Sequence, residues 1–400
     1  MDLEGPPGAR RIILPSSFPG SPRAMMQSYQ DAMAIVSKYG KPDLFVTFTS
    51  NPAWKEITEQ LSLGQTPSDR PDIVARVFHI KLQELFTDLL RRHIFGKVIA
   101  YISVMEWQKR GLPHCHILLT MAGEDKPRTA AEVDSIVQAV IPDPLTEPRL
   151  HRIVTTCMMH RPCGVERPHA PCMVDGRCSK KFPKQFRDTT NVEVDGYPEY
   201  RRPNDGRTVT SGEAILDNRS VVPYNRYLAL RYNAHLNVEI CGMIHAVKYM
   251  YKYVYKGPDR AALHMTRTAG NGGETVDEID AFVNARYVCA PESAHRLFGF
   301  DLQTKSDTVC RLEVHLPGQE IVIFQRGQEE EAQRQAAERD STLTAYFKLN
   351  AEHEAMYGAG NAPQGVIDAR TLLYVQVPEH FTFNKETRKW NPRLRQRREI

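Results

Sequence analysis

At 400 residues, the chain is too long for one small domain, and we expect two or three domains of roughly 100–200 residues each. Its apolar content of 41% suffices for a packed core. No apolar run approaches the roughly 18–20 residues that span a bilayer, so we expect a soluble, intracellular protein. A net charge of +4 does not by itself indicate nucleic-acid binding. Local basic clusters at 177–184, 248–256 and 385–398 can still bind a polyanion.

The first 120 residues predict an α+β fold. Residues 1–22, rich in Pro, Gly and Arg, are expected to form an extended arm. Helices are predicted at 24–39, 54–63 and 71–92, the last from an apolar stripe at helical spacing that follows Pro71. The alternating run LFVTFT predicts a strand at 44–49, and two further apolar runs around Gly111-Leu112-Pro113 predict a β-hairpin. A direct hairpin favours a central antiparallel sheet flanked by helices over a doubly wound parallel sheet.

The rest of the chain gives weaker signals. Further elements are predicted as a helix at 130–140, loop-like structure at 190–222, a strand at 238–241, two strand-like runs within 309–324 and a charged helix at 328–356. The last stretch is basic and contains Trp390. It is typical either of a tail that binds nucleic acid through phosphates and stacking or of a linker.

Two histidines in the hairpin are candidate metal ligands. Side chains alternate along a strand, so His114 and His116 project from one face and Cys115 from the other. A lone pair of this kind is more often an ordinary half-exposed strand, but two imidazoles on a rigid face can also bind a divalent cation. Glu106, on the opposing strand, is the preferred third ligand. Gln108, on the same face as Glu106, is the competing one.

A second candidate metal site lies further along the chain. Four of the eight cysteines fall within 22 residues, which inside a cell favours metal over disulfides. His160, Cys163, Cys172 and Cys178 form a Cys3His set that zinc can take tetrahedrally, with Cys157 as a spare or alternative ligand. A closed four-ligand site is structural, and this Pro-rich segment has little apolar material on which to fold otherwise.

Residues 243–256, MIHAVKYMYKYVYK, predict a helix that carries four tyrosines. The tyrosines form two pairs at i, i+4, and helix geometry separates the pairs. Tyr251 and Tyr255 fall on the apolar side, where we expect core packing. Tyr249 and Tyr253 fall on a cationic face, where a core role is not expected.

Tyr249 and Tyr253 are therefore candidate nucleophiles. Their face also carries Lys252 and Lys256, which can hold phosphates. A phenol is a poor nucleophile at its ordinary pKa near 10. It becomes competent when a neighbouring cation favours the phenolate or a metal polarises the target. Two phenols beside lysines thus suit attack on a phosphodiester.

Nine stretches together resemble the Rep domain of Helitron rolling-circle transposases, a eukaryotic branch of the HUH endonucleases. No single stretch is decisive, but their order and number make the resemblance specific. They are ILPSSFPGS (13–21), GKPDLFVTFTSNPAW (40–54), EWQKRGLPHCHILL (106–119), CSKKFPKQF (178–186), VVPYNRYL (221–228), HLNVEICG (235–242), KYMYKYVYKGPDRA (248–261), RYVCAPESAHRLFGF (286–300) and STLTAYFKLN (341–350).

The resemblance implies an HUH endonuclease fold with a zinc-binding insert and a C-terminal α+β extension. The domains that it implies are an arm at 1–22, a Rep domain at 23–260 with the insert at 150–190, the remainder of the Rep region at 261–384, and a basic tail or linker at 385–400. It also implies that His114 and His116 are the metal pair and that Tyr249 and Tyr253 are the paired nucleophiles.

The resemblance further implies metal-dependent nicking and joining of single-stranded DNA at the transposon ends and at the target, through a 5′-phosphotyrosine intermediate. It also implies Mg²⁺ or Mn²⁺ at the catalytic site and Zn²⁺ in the insert. We expect a nuclear location. Full Helitron proteins continue into a helicase, whereas this chain has no GxxxxGK[ST] or GxGxxG motif. We therefore expect a fragment or truncated copy, with the helicase module in the full-length protein. The alternatives are a catalytically inactive, transposon-derived DNA-binding protein and a zinc-dependent hydrolase.

Overall fold

The computed structural model describes residues 18, 21–108, 111–165, 167–192, 198–242, 288–317, 319, 330, 334 and 339–393. The chain divides into two compact units, Met1–Asp307 and Thr308–Ile400. The domain boundaries expected at residues 23, 260 and 384 stay predictions.

The first unit is built around one antiparallel sheet of five strands in the order β8-β1-β3-β2-β9. The predicted hairpin supplies β2 and β3, and the alternating LFVTFT run supplies β1. The five strands are β1 (Leu44–Thr49), β2 (Val98–Trp107), β3 (Pro113–Met121), β8 (Leu236–Ile240) and β9 (Gln303–Lys305). The α+β class and the central antiparallel sheet are confirmed.

Between β3 and β8, the described part of the chain forms two short two-stranded hairpins. They are formed by β4 (Met173–Val174) with β5 (Arg177–Cys178), and by β6 (Thr208–Ser211) with β7 (Ala214–Asp217). The expectation of loop-like structure at 190–222 is therefore wrong for β6 and β7.

Among the described residues that precede β8, the first unit contains six α-helices. They are α1 (Pro22–Tyr39), α2 (Lys55–Thr58), α3 (Pro71–Leu90), α4 (Ala130–Ile136), α5 (Pro148–Cys157) and α6 (Arg226–Tyr232). A further helix, Ala290–Leu297, precedes β9. None of the described helices combines the length and apolar character needed to cross a membrane.

Local chemistry explains where these helices begin and end. The Ser21 side chain accepts a hydrogen bond from the Ala24 N–H and caps α1, and Gly40 follows its last residue at φ 86°. The helix predicted at 54–63 is shorter and ends at Thr58, because the N–H groups of Gln60 and Leu61 bond to carbonyls three residues back, as in turns, and do not continue the α-helical pattern. The helix predicted at 130–140 stops at Ile136, because the backbone of Gln138 pairs instead with that of Tyr224.

The main core lies between the sheet and α3. Every residue of β1 and β3 is buried, so these central strands are covered on both faces. The inner side of α3 contributes Phe78 and Leu85, which pack with Phe48, Ile117 and other apolar side chains of the sheet. The face opposite to this core is the one that carries His114 and His116.

The second unit has its own small core. It contains helices Thr342–Tyr357 and Val377–His380 and a hairpin of β10 (Phe381–Asn384) and β11 (Lys389–Pro392). No described residue from 309 to 317 lies in a strand, because side chains of Thr342 and Tyr374 satisfy the backbone of Glu313.

Trp390 is part of this second core rather than of a free tail. Its ring is 5% exposed, and its Nε1–H donates a hydrogen bond to the Thr342 carbonyl at 3.0 Å. The Arg393 N–H donates to the His380 carbonyl at 2.9 Å. This burial argues against stacking of Trp390 on nucleic acid, which is one of the two interpretations of the basic stretch, and binding of nucleic acid by the stretch stays a prediction. Residues 394–400 lie outside the described residues.

Candidate functional site

Cross-strand register brings the candidate metal ligands to one face of the sheet. His114 lies opposite Glu106 on β2 and opposite Thr49 on β1, and His116 lies opposite Thr47. Residues directly opposite each other in an antiparallel pair share a face. Two parallel rows of polar side chains therefore cross the sheet near the turn of the β2–β3 hairpin.

The contacts within these rows are direct. The Oγ1 atom of Thr49 lies 2.6 Å from Nδ1 of His114, and Oγ1 of Thr47 lies 3.1 Å from Nδ1 of His116. Nε2 of His116 lies 3.2 Å from Oε2 of Glu106. Both imidazoles are buried, and Phe45 stacks on the His116 ring with centroids 5.4 Å apart. Each ring is thus held on one nitrogen by a threonine.

The two candidate third ligands differ in position. Glu106 is half-buried within β2 and contacts His116. Gln108 follows the end of β2, is exposed, and donates its backbone N–H to the Leu112 carbonyl in the hairpin turn. This geometry favours Glu106, and the identity of the ligand stays a prediction. Cys115 lies on the opposite face and is fully buried in the main core.

Burial and nearby positive charges both disfavour the protonated form of His114. Burial lowers the pKa of His114 well below its ordinary value, and the charges of His116, His235 and Lys180 lower it further. A neutral imidazole retains the lone pair that a cation needs. Lys180 belongs to the cysteine-containing segment, so that segment lies within electrostatic reach of the histidine pair.

The second cluster forms as predicted. One ligand atom from each of His160, Cys163, Cys172 and Cys178 lies within 4.8 Å of all the others. Sγ of Cys163 and Sγ of Cys178 lie 3.5 and 3.6 Å from Nε2 of His160. Bonds of about 2.3 Å to sulfur and about 2.0 Å to nitrogen, at a tetrahedral angle, separate such atoms by about 3.5 Å. The cluster therefore has the dimensions of a zinc site.

The thiols of this cluster are crowded. Burial, followed by contact with Cys172 and Cys178, raises the pKa of Cys163 to about 12. Thiolates this close repel one another and ionise together only when a cation balances their charge. Ionisation of all three thiols, which zinc binding requires, therefore needs the bound cation itself.

Local structure explains how the four ligands converge. Cys178 lies on β5 and pairs with Met173 on β4. Because Met173 directly follows Cys172 in the chain, this pairing brings Cys172 and Cys178 together. The connecting turn, Asp175-Gly176, has positive φ at both residues, as two-residue hairpins require. On the other side of the cluster, the His160 N–H donates to the Ser220 carbonyl at 2.8 Å.

Cys157 is not a member of this cluster, so its proposed role as a spare or alternative ligand is not supported. It ends α5, and its carbonyl accepts a hydrogen bond from Nδ1 of His235 at 2.8 Å. The His235 carbonyl in turn accepts from the Thr49 N–H at 3.0 Å. Hydrogen bonds through Thr49 and His235 thus connect His114 to Cys157, three positions before the first residue of the Cys3His cluster.

The remaining site predictions lie outside the described residues. These are the candidate nucleophiles Tyr249 and Tyr253 and the candidate phosphate-binding residues Lys252 and Lys256. Sequence reasoning missed Thr47, Thr49 and His235. The alternation in LFVTFT places both threonines on one face of β1, but only the register shows that they meet the histidines.

The fold and the two clusters define an α+β protein with a candidate cation site on its sheet and a candidate zinc site beside it. Residues 7–119 match the family model described as "Helitron helicase-like domain at N-terminus". The matched part of the chain, which includes β1, β2 and both histidines, is similar to the Helitron domain that this model describes. No curated protein matches the chain.

Proposed function

We propose that the chain nicks and joins single-stranded DNA in a metal-dependent reaction during Helitron rolling-circle transposition. Its substrates are the ends of the transposon and the target strand, and its place of action is the nucleus. The sheet with its histidine pair corresponds in this proposal to the HUH endonuclease fold. The match of residues 7–119 to a Helitron family supports the transposon-related part of this proposal.

The contact between His116 and Glu106 carries the proposal. A carboxylate has only acceptor atoms, and the lone pair of a neutral imidazole nitrogen is also an acceptor. At 3.2 Å these two atoms are held together only when a proton or a cation lies between them. His114, whose Nδ1 is hydrogen-bonded to Thr49, completes a set of two nitrogen ligands and one carboxylate. This set suits Mg²⁺ or Mn²⁺ and leaves coordination positions open for the substrate.

Such a cation, when bound, polarises the scissile phosphate and neutralises charge that develops on it. The phenolic oxygen of Tyr249 or Tyr253 attacks phosphorus, and the bond to the 3′-oxygen breaks. The products are a 5′-phosphotyrosine and a free 3′-OH. Because the phosphodiester is exchanged rather than hydrolysed, a 3′-OH can reverse the step and join strands without ATP. Lys252 and Lys256 bind the flanking phosphates.

The His160, Cys163, Cys172 and Cys178 cluster has a structural role in this proposal. All four positions of a tetrahedral zinc ion are taken by protein atoms, so no position remains for substrate. The cluster instead folds the insert, which brings Lys180 close enough to His114 to affect its pKa.

The test is formation of a covalent adduct between the chain and a single-stranded oligonucleotide, detected on a denaturing gel with Mn²⁺ present. We expect an adduct that is lost with EDTA, with His114→Ala/His116→Ala and with Tyr249→Phe/Tyr253→Phe. The double variant Tyr251→Phe/Tyr255→Phe is the matched control, because it removes two phenols from the same segment and should retain the adduct.

Other outcomes identify other functions. Binding of the oligonucleotide without an adduct under any metal condition indicates the inactive, transposon-derived DNA-binding protein. Cleavage that leaves a free 5′-phosphate and no adduct indicates a metal-dependent hydrolase. An adduct that persists in Tyr249→Phe/Tyr253→Phe refutes the assignment of the nucleophiles.

A further inference from the structure

Building on the proposed function, we infer that Thr47 and Thr49 are positioning residues for the cation site. Their hydroxyl groups accept hydrogen bonds from Nδ1–H of His116 and His114. Each imidazole is thereby turned so that Nε2 is the nitrogen that binds the cation. Neither threonine contacts the cation or the substrate.

The register makes this arrangement systematic. Thr49 is the β1 partner of His114, and Thr47 is the β1 partner of His116, so the same contact recurs at two successive positions of one strand pair. The hydrogen bonds measure 2.6 and 3.1 Å, and all four side chains are less than 10% exposed. Little water is available there to replace a lost hydroxyl.

The third contact of the site identifies the ligand nitrogen. Nε2 of His116 faces the Glu106 carboxylate, whereas Nδ1 of the same ring faces Thr47. Nδ1 is therefore occupied by the protein, and Nε2 is on the side where a carboxylate ligand lies. The equivalent Nδ1 contact to Thr49 assigns the same role to Nε2 of His114.

Threonine chemistry suits this task. A metal-bound imidazole commonly donates its other N–H to a fixed acceptor, which sets the tautomer and the ring orientation. The β-branch of threonine restricts χ1, so the acceptor oxygen is itself held in place by the strand. Serine keeps the oxygen and loses that restriction, whereas valine keeps the shape and loses the oxygen.

The experiment measures Mn²⁺ binding to the zinc-loaded 400-residue chain by titration calorimetry. Thr47→Val and Thr49→Val should each weaken binding by about 10–100-fold, the usual effect of removing the partner of a metal-bound histidine. Thr47→Ser and Thr49→Ser should recover most of that loss. Thr120→Val is the matched control, because Thr120 is a buried threonine of the same sheet that pairs with Ala100 and not with a histidine.

A second readout does not depend on Mn²⁺. Nitrogen-15 NMR of the zinc-loaded chain without Mn²⁺ at about pH 8, above the usual histidine pKa of about 6.5, reports the tautomer of each neutral imidazole. His114, assigned by its loss in His114→Gln, should be the Nδ1–H tautomer and should lose this preference in Thr49→Val. An Nε2–H tautomer in the unmodified chain overturns the inference whatever the Mn²⁺ result.

The two proposals fail separately. If Mn²⁺ binds equally well to the unmodified chain and to His114→Ala/His116→Ala, the metal site of the proposed function is refuted, and the tautomer alone decides the role of Thr49. If the histidine variant loses binding but both valine variants bind like the unmodified chain, the positioning role is refuted and the metal site stands.

Discussion

Replacing one member of the candidate zinc cluster, Cys172→Ser, should unfold the insert while leaving the sheet intact. No described side chain from 160 to 189 is buried, so the insert has almost no apolar core of its own. Its β4–β5 hairpin has only two residues in each strand. A structural zinc contributes about 10–16 kcal/mol in small domains of this kind, far more than such a hairpin supplies. We therefore expect metal binding to be the main stabilising contribution to the folding of this segment.

Zinc content and limited proteolysis measure this effect. Cys172→Ser should retain much less than one equivalent of zinc after dialysis against a mild chelator, and trypsin should then cut at basic residues such as Arg161, Arg177 and Lys181. The control is Cys310→Ser, which removes an exposed thiol of the second unit and should change neither quantity. A full equivalent of zinc in Cys172→Ser, or equal protease resistance with and without metal, refutes the reasoning.

Three further perturbations test the packing around the sites. Asp88→Ala should cost about 1–3 kcal/mol in urea denaturation, because it removes the fully buried carboxylate and leaves the buried Tyr232 hydroxyl without its acceptor, while the partly exposed Arg92 and Arg231 lose one of their ion pairs. Asp72→Ala, at a partly exposed position of the same helix, should cost about 0–1 kcal/mol, and equal losses contradict this reasoning. Trp390→Ala should destabilise the second unit by about 3–5 kcal/mol without lowering the affinity for single-stranded DNA, and a selective loss of DNA binding shows instead that the ring stacks on bases. The side chain of Arg370 lowers the pKa of Asp368 to about 2. The stabilisation from this ion pair is therefore present above the unfolded pKa near 4 and is lost as pH falls towards 2. Asp368→Asn should remove this part of the acid transition in thermal melts, and an unchanged transition excludes the ion pair as its source.

The alternation of side chains along a β-strand was enough to predict much of the histidine site. The alternation through His114, Cys115 and His116 put the histidines on one face and the cysteine on the other. The structure shows this arrangement, with Cys115 in the main core. Such local periodicity follows from backbone geometry, so no tertiary information is needed.

The partners of those histidines could not be obtained in this way. Strand alternation does not reveal which residue of one strand lies opposite which residue of another. Glu106 and Gln108 were both acceptable as ligands for that reason. The register places Glu106 opposite His114, and β2 ends before Gln108. It also brings Thr47 and Thr49, 65 or more residues away in the chain, to the imidazoles.

Burial decided the cases in which composition was misleading. Trp390 lies in a basic stretch typical of nucleic-acid contacts, yet its ring fills the second core. Cys157 lies within reach in sequence of the other cysteines, yet it ends a helix that packs elsewhere. Neither outcome is encoded locally, because each depends on what a distant segment contributes to the same space.

The amino-acid sequence by itself determined the residue types and spacings of both clusters and the tyrosine pair at 249 and 253, which lies outside the described residues. Those features depend on periodicity and on ligand chemistry, which neighbouring residues define. Only the tertiary structure separated Cys157 from the predicted Cys3His cluster and set Glu106 and two threonines around the histidine pair. Both results require distances between segments far apart in the chain, and these distances exist only once the sheet has taken its register.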